Sequence, residues 1–93
     1  MTDVIRNESA SRYEARDGET VLGVLDYRVL GDVVSLDHTL VQPQYEGQGI
    51  AGDIVRSALD EIRGEGRRVR PVCPYVAMYI TRHPEYEDLV AST

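Results

Sequence analysis

The order of apolar and polar positions divides the chain into two regimes. Up to Val41 the segments are short and alternate, or nearly so. Val4-Ile5-Arg6-Asn7 and Ser11-Arg12-Tyr13-Glu14-Ala15 read as two edge strands, and Asp17-Gly18 supplies a hairpin turn after them. Thr20 to Leu30 predicts a longer strand. Val21, Gly23, Leu25, Tyr27 and Val29 share one of its faces; Leu22, Val24, Asp26, Arg28 and Leu30 share the other. Gly31-Asp32 turns the chain again, and Val33 to Val41 returns as a fourth strand. Both faces of these two strands carry apolar residues, as in a sheet covered on both sides. An antiparallel meander is expected.

The period changes after Gln42-Pro43-Gln44-Tyr45-Glu46-Gly47-Gln48-Gly49. Ile50, Ile54, Val55, Ala58, Leu59 and Ile62 follow at helical spacing over about three turns, and Gly64 and Gly66 end the helix. Arg67 to Cys73 is expected as a fifth strand, with Val69, Pro71 and Cys73 on one face. Pro74 suits the first position of a short helix, Tyr75 to His83, which Pro84 stops. Tyr86, Leu89 and Val90 suggest a last helical turn. The order is β-β-β-β-α-β-α, an α/β (α+β) class with a mixed, mostly antiparallel sheet. Strands four and five are joined through a helix and should run parallel with a right-handed crossover. Pro71 cannot donate a ladder hydrogen bond, so its strand either peels away and leaves a wedge in the sheet or is an ordinary edge strand.

Composition bounds this picture. Ninety-three residues make one domain, 1–93, without repeat or linker. Sixteen acids against ten bases leave a net charge of −6, which sets the chain against nucleic acid and anionic membrane as partners. All the bases are Arg, and the absence of Lys excludes a lysine Schiff base and a P-loop. Cys73 is the lone cysteine, so no internal disulfide and no cysteine-based zinc cage can form. No His and carboxylate cluster has metal spacing, and no metal is expected. No apolar run approaches the ~18 residues of a membrane span, and the N-terminal stretch lacks the apolar core of a secretion signal. A cytoplasmic location is expected.

The most informative stretch is Gln44-Tyr45-Glu46-Gly47-Gln48-Gly49-Ile50-Ala51-Gly52, between a strand and a helix. Glycines let the backbone turn tightly and approach a ligand closely. The helix that starts here points its first N–H groups and its positive end back into the loop, which suits a phosphate or pyrophosphate. A glycine-rich connection that merely closes a turn is the plainer alternative. Gly47, Gly49 and Gly52 spell a dinucleotide fingerprint, but Gln42 to Glu46 separate it from its strand. The region where the fingerprint wants an acid holds Pro71, Val72 and Cys73 instead. That match is rejected.

Gln44-x-x-Gly47-x-Gly49 followed by Ile50-Ala51 resembles the signature of the GNAT acyltransferase superfamily, and the strand order around it agrees. His38-Thr39, Pro71-x-Cys73 and His83-Pro84-Glu85-Tyr86 extend the resemblance to a branch of very small single-domain GNAT-like proteins, from about Val21 onward. The resemblance implies that acetyl-coenzyme A is the cosubstrate. It implies that backbone amides of Gln44, Glu46, Gly47, Gln48, Gly49, Ile50 and Ala51 hold its pyrophosphate, while Leu40 and Val41 bond its pantetheine. The two helices that larger members place after their first strand are missing, which implies an open or poorly defined acceptor site.

Acyl transfer from a thioester needs a neutral amine, a polarised carbonyl and a proton for the departing thiolate. The resemblance makes Tyr79 the best match for the proton donor, with Tyr75 one turn earlier as the alternate. A core tyrosine with its hydroxyl at the rim is the rival reading. Cys73 ends the fifth strand just before a helix N-terminus, a location that favours a thiolate. The resemblance implies a catalytic role for it, against a buried, inert cysteine. His38 alternates with Val34, Leu36 and Leu40, so a core histidine is expected ahead of a general base, with Asp37 and Thr39 on the opposite face, in position to line the acceptor side. His83 reads as a cap on backbone carbonyls. Arg67, Arg68 and Arg70 form either a solvated basic edge or a contact for the 3′-phosphate of the cosubstrate.

These features add up to an acetyl-coenzyme A-dependent N-acetyltransferase that acts on an unknown amine by direct attack on the thioester. A coenzyme A-binding module with little or no turnover is the alternative. A plain interaction domain is the third possibility, and oligomeric state stays open.

Overall fold

A computed structural model describes residues 2–91. Five strands form one sheet in the order β1 (Asp3–Asn7), β2 (Arg12–Asp17), β3 (Thr20–Leu30), β4 (Val33–Val41) and β5 (Arg68–Pro71). The first four pair antiparallel, and β4 and β5 pair parallel through helix α1 (Ile50–Gly64). Helix α2 (Pro74–Arg82) follows β5, and a 3-10 turn, Pro84–Leu89, closes the described chain. Among the described residues, no helix is long and apolar enough to cross a membrane.

Helix α1 buries the six apolar residues that set its period against the sheet. It lies over Tyr13, Leu25, Leu36 and Val69, all buried. Helix α2 adds Val76 and Ile80 on the same side and packs against α1. Tyr86 fastens the last turn to α1 through a 2.7 Å bond from its hydroxyl to Asp60 Oδ1. Burial and that bond to a carboxylate push the Tyr86 phenol up to about 12.

Element boundaries differ from expectation most in β2 and β5. Strand β2 starts later and ends later than Ser11–Ala15. Strand β5 stops at Pro71, because Val72 N–H turns back to the Arg70 carbonyl. Beyond the expected elements, Val90 bridges to Val69 and Ala91 N–H donates to its carbonyl at 2.8 Å, which covers the outer edge of β5.

The sequence pattern predicts cover on both faces of the sheet, and here the structure differs. Both helices lie on one face, so apolar residues on the other stay open: Leu40 is 68% exposed. Much of that face is closed by its own side chains. Glu14 is fully buried there and takes hydrogen bonds from Arg12, Arg16 and Asn7. Burial alone would raise its carboxyl, but these three partners hold it at about 2. The unfolded chain therefore binds this proton more readily than the native one. The stability Glu14 contributes is complete above the ordinary carboxylate range and lost as pH falls toward 2. Glu14→Gln is expected to lower stability at neutral pH by about 1–3 kcal/mol. It should also flatten the loss of Tm on acidification, measured by thermal unfolding at a series of pH values. Parallel curves for the two proteins would contradict this role.

Two β-bulges adjust which side chains face the helices. Opposite Ala15 and Arg16, the pairing skips Leu22, which is buried, while Val21 is half-buried. In β4, Asp26 pairs with His38 but Tyr27 pairs with Leu36, so Asp37 is the extra residue. The phase of β4 reverses there. Val34 and Leu36 point to the helices, then Thr39 and Val41 do, and His38 and Leu40 turn to the open face. This corrects the expectation that His38 is a core histidine: it is exposed. Strict alternation also sets Asp37 opposite His38, yet the bulge leaves both on the open face, with Asp37 beside Ser35. The Ser35 hydroxyl bonds Asp37 Oδ1 at 2.6 Å, and Arg28 Nε bonds its Oδ2 at 2.7 Å.

Candidate functional site

The parallel ladder of β4 and β5 ends at the pair Leu36–Pro71. One further bond, Cys73 N–H to the Leu36 carbonyl at 2.9 Å, marks the last contact of the two strands. Strand β4 runs on to Val41 with no strand on its β5 side among the described residues. The expected wedge is present, and Pro71 sits at its apex because it has no N–H to extend the ladder.

The glycine loop lies at the open end of this wedge. Pro43–Tyr45 forms a 3-10 turn, with Tyr45 N–H bonded to the Gln42 carbonyl at 2.9 Å. Gln44 Nε2 donates to Gln42 Oε1, and Gln42 Nε2 donates to the Val21 carbonyl, which ties the loop to β3. Gly47 and Gly49 have φ of 82° and 77°, a region that L side chains rarely adopt. Gly49 is the N-cap of α1, and no side chain caps this end. Asp53 N–H makes the first helical bond, to the Gly49 carbonyl, so Ile50, Ala51 and Gly52 present N–H groups with no intrahelical acceptor.

These groups open onto a cavity of about 490 Å³, within the range of small-molecule sites. Of the residues expected at the cosubstrate, Leu40, Val41, Glu46, Gly47, Gly49, Ile50 and Ala51 line it. Gln44 and Gln48 do not. Thr39, Tyr45, Gly52 and Tyr75 complete the wall. Thr39 is there because of the Asp37 bulge.

Cys73 lies at the inner end of the wedge, buried, as the N-cap of α2. Its Sγ is 3.4 Å from Thr39 Oγ1. Burial pushes the thiol up, but the Thr39 hydroxyl and the N–H groups of Val76, Tyr75 and Thr39 outweigh it and the net shift is downward. A thiolate is favoured by neutral dipoles here, as at other helix N-termini.

Both tyrosines of α2 approach Gly52. A β-carbon at Gly52 would lie 3.5 Å from the Tyr75 hydroxyl and 3.8 Å from Tyr79 Cε2. Tyr75 lines the cavity, whereas the Tyr79 ring stacks on His83 with centroids 4.0 Å apart and contacts Tyr86. Burial raises the Tyr79 phenol, and Arg56 opposes that rise. His83 Nδ1 bonds the Tyr79 carbonyl at 2.8 Å, the cap expected of it. That bond places a proton on Nδ1, since a carbonyl accepts.

The arginines after α1 lie elsewhere. Arg68 and Arg70 pair with Val33 and Ser35 near the start of β4, while the cavity lies at its end. Arg67 is 3.7 Å from Glu65, and Arg68 donates to the Asp88 carbonyl.

A sheet split between two parallel strands, with an uncapped helix start at the mouth of the split, defines a GNAT-type fold. The chain belongs to the GCN5-related N-acetyltransferase family, whose model matches residues 12–89. It is similar to Protein NATD1 of human, mouse and chicken, 36% identical over 62 residues that cover 66% of this chain. The match spans little more than half the length of those relatives, 55% of the human and 56% of the mouse and chicken proteins. The solution structure of a GCN5-like protein from Staphylococcus aureus shares the fold. Its TM-score is 0.73 at 17% identity, over 98% of this chain and 89% of that one.

Proposed function

We propose that this chain is a cytoplasmic N-acetyltransferase that takes acetyl-coenzyme A in the wedge and passes the acetyl group to an amine. One observation carries the reading: the uncapped start of α1 and Thr39, whose hydroxyl meets the buried Cys73, line the same cavity, with a phenol in its wall. The amides of Gly49 to Gly52 suit a pyrophosphate, and the unpaired side of β4 offers backbone groups to an extended chain such as pantetheine. Bound acetyl-coenzyme A supplies an activated carbonyl.

In this reading the amine attacks the thioester carbonyl directly. The C–N bond forms, the C–S bond breaks, the thiolate takes its proton from a phenol of α2, and the proton shed by the amine leaves to solvent, from which the phenolate is reprotonated. The place of Tyr75 in the cavity wall favours it over Tyr79 as that donor. Tyr75→Phe is expected to leave acetyl-coenzyme A affinity unchanged and to lower kcat by roughly 10- to 100-fold, because water replaces the phenol only in part. A slow Tyr79→Phe beside a normal Tyr75→Phe would move the role to Tyr79.

Cys73 lies beside the acetyl group in this scheme and is no obligatory carrier. Protein incubated with acetyl-coenzyme A alone, quenched in acid and weighed by mass spectrometry should show no stoichiometric adduct, and Cys73→Ala should stay active. An acetyl adduct on Cys73 that added amine removes at the turnover rate would establish a ping-pong route instead. Calorimetry with acetyl-coenzyme A, followed by product detection with an amine panel, tests the whole reading. Binding without product from any amine would define a binding module.

A further inference from the structure

We propose that the acceptor amine belongs to an acidic stretch of polypeptide, and that Arg70, at the apex of the wedge, is the cation that selects it. This rests on the transfer reading above and names the substrate class of that same site. The wedge is open on two sides. On the helix side, α1, α2 and the glycine loop surround the cavity assigned to acetyl-coenzyme A. The other side has neither helix over it, and an acceptor reaches the thioester from there. Leu40 near the end of β4 and Val72 just past β5, both exposed, are its two lips.

Charge divides the two faces of the sheet. The chain as a whole carries −6. Strand register nevertheless puts five of its ten arginines on the face away from the helices: Arg12 and Arg16 on β2, Arg28 on β3, Arg68 and Arg70 on β5. That face holds only four of the sixteen acids, Asp3, Glu14, Asp26 and Asp37. It is net positive on an acidic protein, and so attracts anions. Most of these charges are committed. Glu14 is enclosed by Arg12 and Arg16, Asp37 is bonded by Arg28, and Arg68 donates to the Asp88 carbonyl. Asp26 stands on β3 between Arg12 and His38. Arg70 is exposed, and no group among the described residues engages its guanidinium. It pairs with Ser35, one step before the last ladder pair Leu36–Pro71, and its carbonyl accepts from Val72 N–H at 3.0 Å. The backbone beneath this free cation is thus fixed, on the side from which the acceptor enters.

A free guanidinium takes a carboxylate through two parallel hydrogen bonds. The surroundings decide that this carboxylate arrives on a polypeptide. Small-molecule sites are concave and bury most of their ligand, whereas this face is a sheet surface with both helices on its far side. A polypeptide lies flat on such a surface, with its amine in the slot between Leu40 and Val72 and a neighbouring Asp or Glu on Arg70.

The test uses acetyl-coenzyme A with peptides of equal length that carry one free amine, a lysine or the N-terminus, flanked by glutamates, serines or arginines. Wild-type kcat/KM should be roughly 5- to 10-fold higher for the glutamate peptides than for the serine peptides, and lowest for the arginine peptides. Added salt should shrink the difference. Arg70→Gln should lose the preference through a raised KM for the glutamate peptides, and Arg70→Glu should reverse it. Arg82→Gln, which removes the same charge at the end of α2, should keep it. Calorimetric affinity for acetyl-coenzyme A should be unchanged in all three variants, which verifies that they fold. In NMR spectra of the wild type loaded with coenzyme A, the glutamate peptide should shift the Arg70 Nε–H resonance. A wild type that acetylates alkylamines but no peptide, one that shows no preference, or a preference that survives in Arg70→Glu would overturn the inference and leave the transfer reading intact. Free glutamate used more efficiently than any peptide would overturn the polypeptide acceptor. A wild type that binds acetyl-coenzyme A yet acetylates neither these peptides nor any alkylamine would overturn both readings.

Discussion

Gly49→Val should weaken acetyl-coenzyme A binding by roughly 10- to 100-fold while the domain stays folded. Gly49 has φ of 77°, and a β-carbon added to it would meet nothing within 4 Å, so the effect comes from backbone conformation and not from a clash. A β-branched residue held at that φ costs about 1–3 kcal/mol. The chain relieves the strain by rotating out of the left-handed region, which turns the first N–H groups of α1 away from the cavity. Each charge-assisted hydrogen bond lost from a pyrophosphate costs about 1.5–3 kcal/mol, and one is enough for the expected change. Gly64→Ala, at the other end of α1, is the control and should bind normally, because Gly64 has no positive φ and open space around it. Calorimetry measures the affinities, and circular dichroism verifies the fold. A folded Gly49→Val that binds acetyl-coenzyme A as wild type does would sink the phosphate-loop reading.

The largest expected loss of stability follows from Gly23→Val. Gly23 pairs with Val41 in β3 and β4, directly below Ile54 of α1. A β-carbon there would lie 3.0 Å from the Leu40 carbonyl oxygen, 3.1 Å from Val41 Cγ2 and 3.3 Å from Ile54 Cδ1. The first contact is with backbone, the second with a half-buried side chain and the third with a fully buried one. Alanine should cost about 1–3 kcal/mol by overpacking, and valine about 3 kcal/mol or more. For a domain of this size that lowers Tm by roughly 10–20 °C. Thermal unfolding of both variants measures it. A Gly23→Val protein that melts with the wild type would show that α1 can lift from the sheet at no cost.

Much of the architecture was legible because it rests on local patterns. Alternation up to Val41, the turn pairs Asp17-Gly18 and Gly31-Asp32, and the helical period from Ile50 to Ile62 each determine an element without reference to distant residues. The glycine loop belongs to the same class, since positive φ at Gly47 and Gly49 and a following helix are properties of a short stretch of chain. Pro71 likewise marked where β5 would part from β4, through the one donor that it lacks.

Tertiary structure decided what alternation could not. Strict period two made His38 a core residue, and one extra residue in β4 opposite β3 reversed every side chain after it. That register depends on the partner strand, so it is invisible in β4 by itself. The same reversal turned Thr39 toward Cys73 and Leu40 toward open space. Whether the second face of the sheet is covered depends on where both helices pack, and they pack together on one side. Local sequence thus determined the strands, the helices and the phosphate-type loop. Pairing between strands, set by hydrogen bonds across long separations, decided which residues of β4 meet the wedge and which face the open side.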